Sequence, residues 1–447
     1  MGLFDRLRGD GDPRVAFIGV DGVPYSLLSE NEELFPNFAA LADDGTAAEI
    51  SSIVPPESSA CWPSLTTGMN PGETGVYGFQ DREVGTYDTY VPMGRDVQAD
   101  RVWDRVQEDG RKATVMNVPV TFPPQRDVQR MVSGFLSPGL DKAAYPDDVR
   151  DYLETLDYRI DVNPKLGHQA DKSEFIEDAH ATVDAQYEAF QHYIDEDDWD
   201  LFFGVFMTTD RVNHFLFKDY ERDGENKDAF IEFYQKVDDY IGRLRDSLPD
   251  DVTMIVASDH GFTSLDYEVH FNEWLRQEGW LSFGTDDPEE LGDISDDTTA
   301  YSFIPGRFYI NLEGREPHGS VPEDEYDAVR DELKADLEAL EGPNGNKVVE
   351  RVVEKEEAFR GDHDDIAPDL VAIPNKGFDL KSGFKGDSDI FTTGPRNGMH
   401  SFDNTSLYID HPEATIDDAD LFDITPTILD LLEIDYSRGD FDGASLV

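Results

Sequence analysis

Val252-Thr-Met-Ile-Val-Ala257 runs straight into Ser258-Asp259-His260-Gly261, and this stretch decides the fold. A short, mostly apolar run that ends abruptly in polar residues reads as a strand covered on both faces, the kind found inside a parallel sheet. The same pattern recurs at Val15-Ala-Phe-Ile-Gly-Val20, followed by Asp21-Gly22, and at Leu201-Phe-Phe-Gly-Val-Phe-Met207, followed by Thr208-Thr209-Asp210. Ala113 to Val118 and Ala47 to Val54 are further strand candidates, the second stopped by Pro55-Pro56.

Helical spacing of apolar residues appears at Glu174 to Ile194 and Asp228 to Leu248. Ser64 to Gly68 reads as part of another helix, closed by a Gly/Pro-rich turn through Gly75. Further on, the sequence predicts a strand at Arg307 to Leu312, a helix at Glu323 to Leu340 and a strand at Asp369 to Ile373. A last helix covers Asp423 to Leu432, with Pro426 in its first turn, where a missing N–H costs little. Pro119 to Asp171 and the acidic run Asp286 to Thr298 read as irregular, turn-rich surface.

Strands that alternate with helices imply an α/β fold, a doubly wound, mostly parallel sheet with helices on both faces. No internal repeat or clean linker divides the chain. It is expected to form one catalytic unit over 1–447, with 77–200 and 265–394 as insertions that build substrate-side or lid elements and a small accessory substructure. In such sheets ligands sit outside the carboxyl ends of the strands, and Asp21, Asp210 and Asp259 all take that place.

Composition bounds the partners. Acidic residues number 97 against 37 basic ones, a formal net charge of −60, and no lysine occurs before Lys112. The acids are interleaved with Phe, Tyr and Ile rather than gathered in blocks, so they belong to a folded surface and not to a disordered tail. Self-repulsion of that size is tolerable in molar salt, where the Debye length is about 3 Å. A halophilic cytosol is therefore expected, with refolding and activity dependent on molar KCl.

Phosphate backbones are held by Lys/Arg clusters, and the sequence has none, which disfavours a nucleic-acid surface but leaves room for a small nucleotide in a metal site. Met1 to Asp10 is charged and lacks the apolar run of a signal peptide, and no segment approaches the roughly 18 apolar residues of a membrane helix. The protein is thus expected to be cytoplasmic, without a membrane partner. The single cysteine, Cys61, excludes an internal disulfide framework. Nothing in the sequence fixes the oligomeric state.

The chemistry rests on seven residues. Asp210-Arg-Val-Asn-His214 sets a carboxylate and an imidazole four apart, on one face if the segment is helical, though such a pair is common on ordinary surfaces. Asp259-His260-Gly261 is equally compatible with a plain strand-ending turn. Their coincidence carries weight: three strand ends each bring an aspartate, two bring a histidine, and His400 lies in a Gly-containing loop able to reach back. Oxygen and imidazole donors together suit zinc or manganese. Ser58, at the head of Pro55-Pro56-Glu57-Ser58-Ser59-Ala60-Cys61-Trp62-Pro63-Ser64-Leu65-Thr66-Thr67-Gly68, stands at the mouth of a helix. There, unpaired N–H groups favour an alkoxide and an incoming phosphoryl group, although an N-cap serine would look the same.

These segments together resemble the alkaline phosphatase superfamily, specifically its type I phosphodiesterase and nucleotide pyrophosphatase branch. They are Asp21-Gly22, the Pro55 to Gly72 run, Thr209-Asp210 through His214, Ser258 through Phe262 and His400. Asn311 through Pro317, Ala367-Pro368-Asp369-Leu370 and Asp423 through Leu429 are similar to prokaryotic members of that branch.

The resemblance implies an alkaline phosphatase-like fold, two divalent metal ions (zinc first, manganese second) and a small phosphate-ester substrate. One metal would be held by Asp210, His214 and His400, the other by Asp21, Asp259, His260 and the oxygen of Ser58. Ser58 would be the nucleophile, in a position usually held by threonine, with Ser59 its near competitor. The implied reaction is hydrolysis of phosphodiester or nucleotide pyrophosphate bonds through a phosphoryl-Ser58 intermediate. A phosphomonoesterase or phosphonate hydrolase is the alternative, with Arg211 the nearest cation for a monoester's extra charge.

Two departures stand out. Thr74 occupies a position where the family commonly has histidine, and Val76-Tyr77-Gly78-Phe79-Gln80 contains no asparagine to steady a phosphoryl oxygen. Cys61-Trp62-Pro63-Ser64 mimics a sulfatase motif out of register, with Leu65 where arginine is required, and Cys61 reads as a small buried thiol. His168, His180, His192, His270, His318, His363 and His411 read as surface or structural residues, with His270 the best outside candidate for a pocket.

Overall fold

The computed structural model describes residues 13–447 apart from 197, 250, 384–388 and 438. The charged stretch Met1 to Asp10 lies outside the described residues. Eight strands form the central sheet: β1 (Arg14–Val20), β2 (Thr46–Ile50), β3 (Ala113–Val118), β4 (Arg130–Ser133), β5 (Ala144–Tyr145), β6 (Leu201–Phe206), β7 (Val252–Ala257) and β8 (Thr405–Ile409). Their order is β2-β8-β7-β1-β6-β3-β4-β5. The five strands from β7 to β4 are mutually parallel, and β8 and β5 run against them.

The apolar runs are continuous because both faces of the sheet are covered. Along β1, Ala16, Ile18 and Val20 enter one core while Val15 and Phe17 enter the other. β6 and β7 divide in the same way, Phe202 and Val256 on one side, Phe203 and Ile255 on the other. Each Val, Ile or Phe among them contributes about 1.5–3 kcal/mol through burial. Phe17 and Phe203, neighbours across β1 and β6, stack at 4.1 Å.

Helices α1 (Ser58–Thr67), α2 (Ser173–Glu196), α3 (Thr208–Glu221), α4 (Lys227–Ser247) and α5 (Ile424–Leu431) flank the sheet. The first of them closes on Gly68 at φ +68°. Sequence and structure agree within two residues for β1, β3, β6, β7, α2 and α4. The expected strand Ala47 to Val54 ends at Ile50, and Pro426 is the third residue of α5. The run Glu323 to Leu340 begins with a 3-10 turn before the α-helix Tyr326–Ala339.

Pro119 to Asp171 is not merely irregular surface. It supplies β4, β5 and the helix Asp147–Thr155, whose Val149 and Leu153 are buried. Strands of four and two residues are too short to show periodicity, so only pairing to β3 defines them. Consequently 77–200 holds three strands of the central sheet as well as loops.

Two four-stranded sheets accompany the central one. In one, Ala300–Phe303, Arg307–Ile310, Leu370–Pro374 and Val349–Glu354 pair antiparallel. In the other, the long strand Gly261–His270 pairs with Gly377–Lys381, Phe391–Thr392 and Gly398–Ser401.

Candidate metal centre and cavity

The seven residues singled out in the sequence converge beyond the carboxyl ends of β1, β6 and β7. Asp21 follows β1 directly, and its turn is closed by Gly22 at φ +67°, where a Cβ would also lie 3.3 Å from His260 Cε1. Only glycine accommodates both conditions without strain. Asp210 and His214 lie one turn apart on α3, so both side chains leave the same face. Asp259 and His260 occupy the bend between β7 and the strand Gly261–His270.

His400 is not in a loop. It sits in the strand Gly398–Ser401, where antiparallel pairing sets it opposite Phe262 and carries it to the other ligands. Gly398 permits the approach, since a Cβ there would meet the Asn213 carbonyl at 2.3 Å.

The imidazoles point inward by one device. His214, His260 and His400 each place Nδ1 against a backbone carbonyl, of Gly398 (3.1 Å), Gly261 (3.0 Å) and Pro56 (3.0 Å) respectively. A carbonyl can only accept, so Nδ1 carries the proton and every Nε2 lone pair faces the centre, the arrangement typical of metal-ligating histidines.

His400 Nε2 lies 3.1 Å from His214 Nε2 and 3.3 Å from Asp210 Oδ1, and His214 Nε2 lies 3.4 Å from that same oxygen. His260 Nε2 is 3.4 Å from Asp259 Oδ2, 3.7 Å from Asp21 Oδ1 and 3.1 Å from Ser58 Oγ. Two triads of ligand atoms result, Asp210-His260-His400 and Asp21-Asp259-His260, with His260 common to both. His214 joins the first through the short contacts above.

A neighbouring shell holds the carboxylates. Trp62 Nε1 donates to Asp21 Oδ2 at 2.7 Å, Gly22 N–H to Asp259 Oδ1 at 3.1 Å, and Arg211 Nη1 to Asp210 Oδ2 at 3.1 Å. Asp210 Oδ1 and Asp259 Oδ2 are buried and receive no hydrogen bond among the described residues.

Burial, reinforced by Asp259 and Asp210, pushes Asp21 well above the usual carboxylate range, and burial lifts Asp259 to about 7. Asp210 goes the other way: burial opposes its charge, but His214, His400 and Arg211 outweigh it and hold it well below. Burial keeps His260 neutral, at about 3, and drives His214 well below its ordinary value. Three buried carboxylates, two with orphaned oxygens, beside inward imidazole lone pairs form a donor set that fits divalent cations.

Ser58 is the first residue of α1, and its Oγ stands 3.4 Å from Asp21 Oδ1. It opens onto a cavity of about 450 Å³ that Asp210, His214 and His400 also line. Ser59 is fully buried, its Oγ has no hydrogen-bond partner among the described residues, and it does not line that cavity. Phe79 and Phe135, stacked at 6.1 Å, form an apolar wall, and Arg211 lies over Phe135 at 4.4 Å.

Among the other histidines the structure corrects the expectation. His168 lines the cavity, whereas His270 bonds to Thr392 Oγ1 at 2.8 Å and lies outside it. Phe135 and His168 carried no sequence signal, because they reach the cavity from the segment read as plain surface. Arg211 did, as a cation directly beside Asp210.

Among the described residues no helix is long and apolar enough to cross a membrane. Comparison with curated protein sequences gives no significant match. Among solved structures, murine ectonucleotide pyrophosphatase/phosphodiesterase 5, as an inactive variant in complex with AMP, superposes with a TM-score of 0.56 at 15% identity, covering 97% of each chain. Phosphonoacetate hydrolase from Sinorhizobium meliloti 1021 in complex with phosphonoacetate gives a TM-score of 0.63 at 16% identity, over 95% of this chain and 96% of the other. At such identities the likeness concerns the fold. The family profile for type I phosphodiesterase / nucleotide pyrophosphatase matches residues 15–403, nearly the whole chain, so this protein belongs to that family of hydrolases in the alkaline phosphatase superfamily.

Proposed function

We propose that the chain hydrolyses phosphodiester or nucleotide pyrophosphate bonds, with Ser58 as nucleophile and two divalent cations as cofactors. The observation that carries this reading is the place of Ser58 Oγ, in the cavity and 3.1 Å from His260 Nε2, at the positive end of α1. Asp210, His214 and His400 would hold one cation; Asp21, Asp259, His260 and Ser58 Oγ would hold the other. Zinc is the first choice by donor type and manganese the second.

When bound, the cations supply Lewis acidity to the phosphoryl oxygens and favour the deprotonated hydroxyl of Ser58. Ser58 Oγ attacks phosphorus in line, the bond to the leaving oxygen breaks, and phosphoryl-Ser58 forms. The N-terminus of α1 favours the charge that gathers on the phosphoryl oxygens. Water then adds to phosphorus from the vacated side and releases the Ser58 hydroxyl. Asp21 and Asp259 keep their positions throughout through Trp62 and the Gly22 N–H.

Arg211 on the cavity wall supports a second reading, hydrolysis of phosphomonoesters or phosphonates by the same residues. A panel of aryl phosphodiester, phosphomonoester, phosphonate and sulfate substrates separates the two. The diester is expected to turn over fastest, chelation to abolish turnover, and zinc or manganese to restore it. A monoester or phosphonate ranked first selects the second reading, and turnover that survives chelation overturns both.

The segments 77–200 and 265–394 are proposed to set substrate choice, since Phe79, Phe135 and His168 reach the cavity from the first, and Glu268 and Lys381 from the second. The net charge of −60 supports a salt-rich cytosol as the working medium. Midpoints of thermal unfolding are expected to rise steadily between dilute buffer and molar KCl as repulsion is screened. A midpoint independent of salt would remove that reading.

A further inference from the structure

We propose that Arg396 is a specificity-determining residue of the cavity, taking an anionic group, carboxylate or phosphate, that the substrate carries beyond the phosphorus under attack. This rests on reading the cavity as a phosphoryl-ester site. Arg396 lines the cavity on the side of His214 and His400, and its charge is felt at His214 and at Asp379.

The cavity's other cations are already neutralised. Arg211 pairs with Asp161 at 3.0 Å and Asp210 at 3.1 Å, and Lys381 pairs with Asp379 at 2.5 Å. Arg396 makes no ion pair or hydrogen bond among the described residues, although Glu268 lines the same cavity. In a chain with 97 acids and 37 bases, a half-buried arginine that forms no ion pair with a described residue is unusual.

Its position is set by the backbone on either side. Asn397 N–H donates to the His214 carbonyl at 2.8 Å, and Leu265 N–H donates to the Asn397 carbonyl at 2.8 Å. On the other side Pro395 fixes its own φ, which limits how the chain enters Arg396. The backbone next to Arg396 is therefore tied to α3, the helix that carries Asp210 and His214.

The physical need for such a cation is plain. A protein of net charge −60 repels an anionic substrate, and local positive charge in the cleft reverses that field where it counts. A planar guanidinium takes carboxylate or phosphate oxygens through paired, charge-assisted hydrogen bonds.

The test measures binding of three phosphonates to the zinc-loaded full chain by calorimetry: phenylphosphonate, 4-carboxyphenylphosphonate and 1,4-phenylenediphosphonate. Wild type is expected to bind one or both anion-tailed compounds at least about tenfold more tightly than phenylphosphonate, the size of one charge-assisted hydrogen bond. The larger ratio names carboxylate or phosphate as the partner. Arg396→Ala should bring the ratio close to one, and Arg396→Lys, which keeps the charge without the fork, should give an intermediate value and covers a folding failure of the alanine variant.

A wild type with no preference, or one that binds none of the three, overturns the proposal, as does a ratio that survives in Arg396→Ala. Diester hydrolysis is scored separately. Absent turnover with the ratio intact overturns the enzyme reading and spares Arg396, whereas turnover with equal affinities does the reverse.

Discussion

Ser58→Ala is expected to lower turnover by at least about a thousandfold, the range seen when an enzyme loses its nucleophile. The protein should fold as before. Ser58 starts α1 after the extended residue Glu57, and its hydroxyl stabilises no helix end. Among the described residues its hydroxyl bonds to Asp21 and His260 alone. Bound metal should therefore be largely retained, because six other candidate ligands remain. Steady-state rates and metal analysis on the same sample check both halves. An alanine variant that keeps its rate would move the nucleophile elsewhere, and Ser59, out of the cavity, would be the wrong place to look first.

Arg307→Ala is expected to destabilise the fold by about 3–5 kcal/mol, the usual cost of removing one partner of a buried ion pair. Arg307 is fully buried and donates to Asp81 Oδ1 at 2.6 Å, to the Ile304 carbonyl at 2.8 Å and to the Gln80 carbonyl. Its loss leaves Asp81, 1% exposed, as an uncompensated buried carboxylate.

The double variant Arg307→Met/Asp81→Asn should recover much of the loss, since the unpaired charge disappears with its partner. Denaturant midpoints for the wild type, Arg307→Met, Asp81→Asn and the double variant give the coupling. A double variant no more stable than Arg307→Ala would mean that the carbonyl contacts, not the ion pair, hold the segment. Arg307 also anchors the turn that presents Phe79 to the cavity, so the single variant should raise KM as well.

Four central strands were legible because burial on both faces leaves an uninterrupted apolar run, and the polar residues that follow mark its carboxyl end. Val252 to Ala257 and Leu201 to Phe206 show both signals. The aspartates at those ends were legible for the same reason, as was the spacing that puts Asp210 and His214 on one helical face.

Other elements had no local signature. β4 and β5 are too short for periodicity, and the Gly398–Ser401 strand exists only because it pairs with Gly261–Ser264, well over a hundred residues earlier. His400 was recognised by residue type and by likeness to a family, while the register that delivers it was invisible.

The sequence by itself determined the fold class, the family and the residue types at the centre, because each is written in local pattern and motif. Only the tertiary structure decided which atoms meet. It turned each Nε2 inward by giving each Nδ1 a carbonyl, kept Ser58 in the cavity and Ser59 out of it, and left Arg396 without an ion pair among the described residues. Those outcomes depend on pairing register and packing between segments distant in the chain, where a shift of one residue would reverse the facing of every side chain.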